Sequence, residues 1–498
     1  MTDGDFVVGV DVGTSAVRVA LFTSTGSVAA SSRFPRSSVG TTTFDADQLW
    51  KDFAACVKRL PESLRRGPIR GVSFAGHVGT VLVGDRGQPI GQSSLWSDAR
   101  GVDLLKAAWP TVPNVATRTG RAVPSGSSLA LVCWLRHHDS TLLQRVRWLL
   151  SPKDYLVLRL TGQSSTDETT AAYSLGFDVR QRVWSDDLLS LAGPHQPIFP
   201  PVLPSTSVVG PLLPNVAASV GLPGGTPVVN GGPDGTVGAA VLLGTAETPI
   251  VDVAGTTDVL TALTSEPTFA PPWGAVLNPY VSPGLWSYGG PTGLTGGALV
   301  WLATTLGYPD LATALARLGT EMEGLPPGCG GIFVLPLLSG SRFPDWDQRE
   351  RAALWGLTGS HTPAHILRAA QESVAYVSRQ AVERLTASPN GANKAMTVIL
   401  AGGAAASPSI SQLRADVLGT SVLVADDAEV SVRGAAMLAS VGSGVHPDLA
   451  HASRAMRPTL TRFEPDLGRS TAYQQLYRQW AANREALRRG GQDPVRVR

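Results

Sequence analysis

The chain has 498 residues, more than one hydrophobic core ordinarily supports, so two large domains are expected. Its 41 basic and 39 acidic residues leave a formal net charge of +2, which removes any electrostatic argument for a nucleic-acid partner or an anionic membrane surface. Three widely separated cysteines, Cys56, Cys133 and Cys329, offer no metal or redox spacing and no disulfide framework. Met1 is followed by Asp3 and Asp5 rather than by an apolar signal core, and the most apolar windows, such as residues 237–245, are too short to span a bilayer. A cytoplasmic protein with no membrane partner is the expectation.

In chain order, β-rich runs at 6–10 and 17–22 flank Asp11, Gly13, Thr14 and Ser15, the residue types of a tight hairpin turn. A helix is expected from Asp47 to Leu60, strands at 70–74 and 80–83, and helices from Ser128 to Arg136 and from Pro152 to Leu160. Ser151 and Pro152 are the N-cap and first-turn signals of the last of these. Residues 193–214 are expected to be irregular, because Pro200, Pro201 and Pro204 fit neither a helix interior nor a central strand. A buried strand at 227–231 empties into Gly232-Pro233-Asp234, and an apolar helix follows from Gly235 to Leu243. The hinge is placed near Gly244, which divides the chain into 1–243, 244–445 and a terminal segment, 446–498.

The second half repeats the recipe: a hairpin at 249–263, helices near 296–306 and 363–386, a buried strand at 397–401 and a helix from about 408. Near the end, Tyr473, Leu476, Tyr477, Trp480 and Leu487 recur at helical spacing and predict a docked amphipathic helix. The basic stretch 484–498 is expected to fray. Mixed strands and helices throughout give an α/β fold.

Four segments carry chemistry. The turn at Asp11–Ser15 returns as Gly255, Thr256 and Thr257, inside IVDVAGTTDVLTAL; paired turns of this kind present N–H groups and hydroxyls to phosphate oxygens. Asp11, a carboxylate beside such a site, makes sense chiefly with a cation between them. Asp234 sits where a strand meets a helix among Gly231, Gly232 and Gly235. It is either a helix cap or a close-approach carboxylate able to take a proton from a hydroxyl. Gly402 and Gly403 end a strand ahead of Ser407-Pro408, which suits a flat ring on the glycines with the helix N-terminus facing phosphates, or equally a capped packing turn. In LWSDARG, Trp96 offers a face to a sugar, and Asp98 and Arg100 offer an acceptor and forked donors, or simply an ion pair. His77 is a loop histidine of the same double reading.

Taken together, GVDVGTSAVRVALF, LWSDAR, SPKDYLVLRLTG, GGPDGTVGAAVLLGT, AGTTDVL and LAGGAAASPSISQLRADVLGTSV resemble the FGGY family of carbohydrate kinases, in the actin-like ATPase superfamily. SRFPDWDQRERAALWGLTGSHTPAHILRAAQESVAY, residues 341–376, is similar to the family's stretch ahead of its long C-terminal-domain helix. The resemblance implies two actin-like (ribonuclease H-like) α/β domains, each with a mixed five-stranded sheet flanked by helices, closing on ATP and a small-molecule sugar in the interdomain cleft. It implies Mg²⁺ near Asp11 and Asp234, with Thr14, Ser15 and Arg18 at the transferred phosphate. Gly255, Thr256 and Thr257 then line the β- and γ-phosphates, Gly402, Gly403 and Ser407 attend the nucleotide, and Asp234 is the general base. His77, Val78, Trp96, Asp98 and Arg100 are the implied sugar contacts.

Within the family the chain is most similar to xylulose kinases, so a terminal hydroxyl of a ketopentose is the implied acceptor. Those enzymes usually carry Gln-Met-His-Gly after the strand ending near Phe74; here His77 stands at their Gln and Gly79 at their His. Ribulose, glycerol or a tetritol stay open as acceptors, as does an actin-like ATPase acting on no sugar. Exposed hairpins on packed domains leave room for a homodimer.

Overall fold

The computed structural model describes residues 5–193, 198–246, 249–268, 274–387 and 397–490. Met1–Gly4, part of the proline-rich connection (194–197) and the last eight residues of the expected tail lie outside the described residues. Two mixed sheets organise the chain, and both follow from the same local recipe. In the first, Phe6–Val12 pairs antiparallel with Ala16–Phe22, which pairs antiparallel with Val28–Pro35. On its other side Phe6–Val12 runs parallel to Ile69–Gly76, and that strand runs parallel to Pro227–Pro233. The second sheet repeats this order: Trp286–Pro291, Asp258–Thr264, Pro249–Ala254, Thr397–Ala401, Val422–Ala425, with the last three parallel.

The expected five strands are therefore present in each sheet, and edge strands extend both. Val208–Pro211 adds a sixth to the first sheet, while Val276–Pro279 and Leu460–Phe463 bring the second to seven. Val208–Pro211 corrects the irregular reading of 193–214. A proline is tolerated there because the strand is an edge and Pro211 is its last residue. Leu460–Phe463 ties the segment after 445 into the second sheet.

The helices start where their caps dictate. Asp45 caps Ala46–Lys58, and Ser127 caps Ser128–His138. Ser151 forms a capping box with Asp154 at the head of Pro152–Thr161. The final helix, Leu467–Gly490, buries Tyr473 and Trp480, and their polar tips donate to Glu372 Oε1 (2.9 Å) and the Val334 carbonyl (2.9 Å). It runs on through residues 484–490, expected to fray, because Arg484 and Arg488 both pair with Glu350, at 2.7 and 2.9 Å.

The closest packing described between the halves is made by one helix. The helix Val430–Gly442, from the second half, lies across the first sheet so closely that a Cβ on Gly9 would stand 2.0 Å from the Val432 carbonyl. The same helix meets Asp234–Leu243, where a Cβ on Gly434 would stand 2.1 Å from the Val237 carbonyl. Val237, Val241, Ala435 and Met437 share one buried cluster there. Gly9→Ala is expected to destabilise the protein by about 1–3 kcal/mol through overpacking against backbone. Gly319→Ala, in open space within a helix, should be neutral or stabilising by up to about 1 kcal/mol. Urea denaturation of both variants checks the pair; equal midpoints would mean that the helix can slide away from the sheet at little cost.

Candidate active site

Parallel strands that run side by side end at the same edge, and here that edge collects the polar residues. Asp11 and Gly232 both lie opposite Ala75, and Val12 and Pro233 both lie opposite Gly76. The Asp11 turn, His77 and Asp234 thus emerge in a row from the C-terminal ends of three neighbouring strands, the usual place for ligands in open α/β sheets. The second sheet's corresponding edge carries Gly255–Thr257, Gly402–Gly403 and Glu429. The two edges face each other. Arg18 reaches across, pairing with Asp11 at 2.9 Å and with Glu429 at 2.9 Å, and the Ser431 hydroxyl donates to the Asp234 carbonyl at 3.2 Å.

Asp234 opens its helix as the first helical residue; its carboxylate accepts the Gly235 N–H at 2.7 Å and stays half-buried. Burial raises its pKa, while that N–H and the Arg18 charge pull it back. Asp11 is buried and its carboxyl is pushed up to about 7, first by desolvation and then by the nearby Asp234, against the pull of Arg18. Asp11 Oδ1 has no hydrogen-bond partner among the described residues. An unpartnered carboxylate oxygen with a second carboxylate nearby is the chemistry of a hard divalent cation. Mg²⁺ needs only one or two protein carboxylates beside phosphate and water, and no cluster of three or more His, Cys, Asp or Glu ligands exists among the described residues.

The hydroxyls of Thr14, Ser15, Thr256 and Thr257 have no partner among the described residues, and Ser15, Gly255 and Thr256 are exposed to the cleft. Gly402 has φ +86°, and a Cβ on it would stand 2.7 Å from the Ala254 carbonyl, so the second and third turns abut. Gly403 faces open space. Ser407 caps Pro408–Leu418 by accepting the Ile410 N–H, which occupies its hydroxyl. Beneath these turns Arg414 pairs with the buried Asp258 and Asp252, and Thr295 and Ser378 also donate to Asp258.

Beside Asp234 a cavity of about 600 Å³, including space open to solvent, is lined by His77, Val78, Trp96, Tyr173, Ser127 and Pro233 among others. Asp98 and Arg100 are absent from its lining. Arg100 forks onto Asp98 at 2.7–3.0 Å and stacks over Trp134, so the pair satisfies itself and shapes the loop that presents Trp96. The ion-pair reading of LWSDARG describes their geometry.

His77 is buried, with its Nε2 accepting from Arg36 (2.9 Å) and its Nδ1–H donating to the Val78 carbonyl (3.0 Å). Burial and the Arg36 charge lower its pKa to about 4, so the ring is neutral. Arg36 also donates to the Gly13 carbonyl at 3.1 Å, and this ties the cavity wall to the first turn. An unfolded histidine protonates near 6.5, so this stability is complete above 6.5 and is lost as pH falls towards 4, by about 3 kcal/mol in full. Asp11 has the opposite sign, since neutralising it on acidification favours the folded state, but it cancels when a variant is compared with the parent. His77→Gln is therefore expected to lose less stability than the parent between pH 7.5 and 4.5. Parallel unfolding curves at the two pH values would show that the histidine titrates normally.

Tyr173, which lines the cavity, Arg36 and Glu429 lie at the site and were missed by sequence reasoning. None of the three carries a local sequence signal.

Two facing turns, an acidic pair and a walled cavity across one cleft define a two-domain phosphotransferase. The N-terminal domain of the FGGY family of carbohydrate kinases matches residues 6–241, and the family's C-terminal domain matches residues 251–443. The chain belongs to that family and is a sugar kinase. It is 27% identical over 482 residues to the xylulose kinase of Bacillus subtilis (strain 168), covering 95% of each chain. It is 26% identical over 536 residues to a glycerol kinase of Citrifermentans bemidjiense, covering 99% and 98%. The crystal structure of xylulose kinase from Rhodospirillum rubrum superposes with a TM-score of 0.85 at 26% identity, covering 98% of this chain and 100% of that one. Kinases of this family use ATP, typically with Mg²⁺. Among the described residues no helix is long and apolar enough to cross a membrane.

Proposed function

We propose that the protein transfers the γ-phosphoryl group of ATP to the terminal hydroxyl of an open-chain acceptor of ketopentose size, with D-xylulose as the reference acceptor. The observation that carries this reading is Asp234, which stands between the walled cavity and the facing Gly-Thr turns. In this reading residues 1–243 bind the acceptor and supply the base, and residues 244–445 bind the nucleotide.

The acceptor lies against Trp96 and Tyr173 with its reacting hydroxyl at Asp234. As the hydroxyl oxygen bonds to the γ-phosphorus, the bond to the β–γ bridging oxygen breaks, ADP leaves with that electron pair, and the Asp234 carboxylate takes the hydroxyl proton. The raised pKa of Asp234 makes it a stronger base than an exposed aspartate. N–H groups and hydroxyls of Thr14, Ser15, Thr256 and Thr257 are positioned to receive the phosphoryl oxygens. Asp11 and Asp234 are the residues that would hold Mg²⁺, which supplies neutralisation of the phosphoryl charge when bound. Arg18, already bridging Asp11 and Glu429 across the cleft, is suited to hold the halves together around the nucleotide.

The test is ADP release from Mg·ATP with D-xylulose, D-ribulose, glycerol and tetritols. Saturable, acceptor-dependent release is expected. Hydrolysis at the same rate with and without acceptor would replace this reading with an ATPase that acts on no sugar.

A further inference from the structure

One half-buried guanidinium stands between the wall of the cavity and the first Gly-Thr turn. Arg36 directly follows the strand Val28–Pro35, and its Nη1 donates both to the Gly13 carbonyl at 3.1 Å and to His77 Nε2 at 2.9 Å. Its backbone N–H donates to the Ser15 carbonyl at 2.9 Å, and the His77 backbone N–H donates to the Val12 carbonyl at 3.0 Å. Arg36 and His77 together therefore hold the carbonyls of Val12, Gly13 and Ser15. The guanidinium also packs 4.8 Å from the centre of the Phe44 ring, which meets the His77 ring edge-on at 5.5 Å. Arg36 Nε has no hydrogen-bond partner, and no acid pairs with Arg36 among the described residues.

His77, Val78 and Gly79 line the cavity, whereas Arg36 itself does not. Both ring nitrogens of His77 are occupied, Nδ1 by the Val78 carbonyl and Nε2 by Arg36. The imidazole thus meets an acceptor as a wall, and its far side bears on Arg36. A trans peptide sets its N–H opposite its C=O. Holding the Gly13 carbonyl on Arg36 turns the Thr14 N–H away from Arg36, and the peptide cannot rotate without losing a charge-assisted bond. Donors fixed before the phosphoryl group arrives stabilise its developing charge without reorganising. We propose that Arg36 is a positioning residue for phosphoryl transfer, holding the first Gly-Thr turn in its phosphate-receiving geometry and coupling that geometry to the acceptor cavity through His77. This inference rests on the assignment of the turn and the cavity made above.

The variants are Arg36→Met, Arg36→Lys and His77→Leu. Methionine removes both side-chain bonds. Lysine restores them, because one ammonium has donors enough for the two acceptors that Nη1 now serves. His77→Leu cuts only the link to the cavity and keeps the bond from Arg36 to Gly13. Each is measured for kcat, for KM of ATP and acceptor, and for ATP hydrolysis without acceptor, using whichever of D-xylulose, D-ribulose, glycerol and the tetritols the parent turns over best. Thermal melts show that each variant is folded.

Arg36→Met is expected to lower kcat about 10–100-fold with both KM values within about threefold, and Arg36→Lys to recover kcat to within about fivefold. His77→Leu should lower transfer at least about tenfold while acceptor-free hydrolysis stays within about threefold of the parent. If Arg36→Met does not fold, His77→Leu decides the matter by the same split. Unchanged kcat in Arg36→Met and His77→Leu overturns the inference and leaves the kinase reading intact. A rise confined to KM for ATP also overturns it, by making Arg36 a simple binding residue. So does a loss in Arg36→Met that follows its melting curve and is not restored by lysine, which is the mark of a purely structural role. Absence of acceptor-dependent turnover by the parent overturns both readings.

Discussion

Asp234→Asn is expected to lower kcat by about 10²–10⁴-fold, the range a positioned general base contributes, while KM for ATP stays within about threefold. Asparagine keeps the shape and can still accept the Gly235 N–H, so the helix start survives. What it loses is the capacity to take a proton from the attacking hydroxyl. The turns at 255–257 and 402–403, which we propose bind the nucleotide, belong to the other sheet and are untouched. Stability supplies a control with a definite sign. Burial raises the carboxyl's pKa in the folded state, so its ionised form costs stability above that pKa. The variant should therefore be at least as stable as the parent at pH 8. Steady-state kinetics with a thermal melt at pH 8 checks both; a kcat within about tenfold of the parent would remove Asp234 from the base role.

Arg414→Met is expected to cost about 3–5 kcal/mol of folding stability at pH 8, because it strips the cation from two buried carboxylates. Asp252 is raised to about 7, first by burial and then by the neighbouring Asp258 charge, against the pull of Arg414. Without Arg414 the folded state binds protons more tightly than the unfolded chain, so stability rises as pH falls. The deficit should shrink between pH 8 and pH 5.5. Urea denaturation at both values is the measurement. A loss below about 1 kcal/mol, or one independent of pH, would mean that water or rearrangement satisfies the acids. The second Gly-Thr turn hangs directly from Asp258, whose N–H donates to the Thr295 hydroxyl at 2.9 Å, so the variant should also bind ATP more weakly.

The legible parts of this protein are those written within a few residues. Asp11 to Ser15 and Gly255 to Thr257 are turns because glycine and short polar residues interrupt β-rich runs, and both lie at the cleft. Ser151-Pro152 starts a helix because the cap and the fixed φ of proline are local properties. The two turn motifs also differ informatively. Aligning Gly13-Thr14-Ser15 with Gly255-Thr256-Thr257 sets Val253 where Asp11 stands, so only one turn brings a carboxylate to the cleft.

Other features depend on partners far along the chain. Val28–Pro35 escaped notice because an exposed edge strand needs little apolar alternation, and Val208–Pro211 because the prolines just before it read as loop. Asp98 and Arg100 carry the residue types of a sugar contact, yet they bond to each other and leave the cavity to Trp96 and Tyr173.

The sequence by itself determined the α/β class, the duplication, the three glycine turns and Asp234, since each rests on strand or helix propensity broken by glycine or proline within one short window. Only the tertiary structure decided which polar groups are satisfied and which are left over. Asp11 pairs with Arg18, and Arg18 with Glu429 some 400 residues away, while Arg121 packs over the Tyr173 ring with only neutral hydrogen-bond partners. Charge satisfaction is a property of which side chains are buried together, and burial is settled by how sheets and helices from distant segments pack.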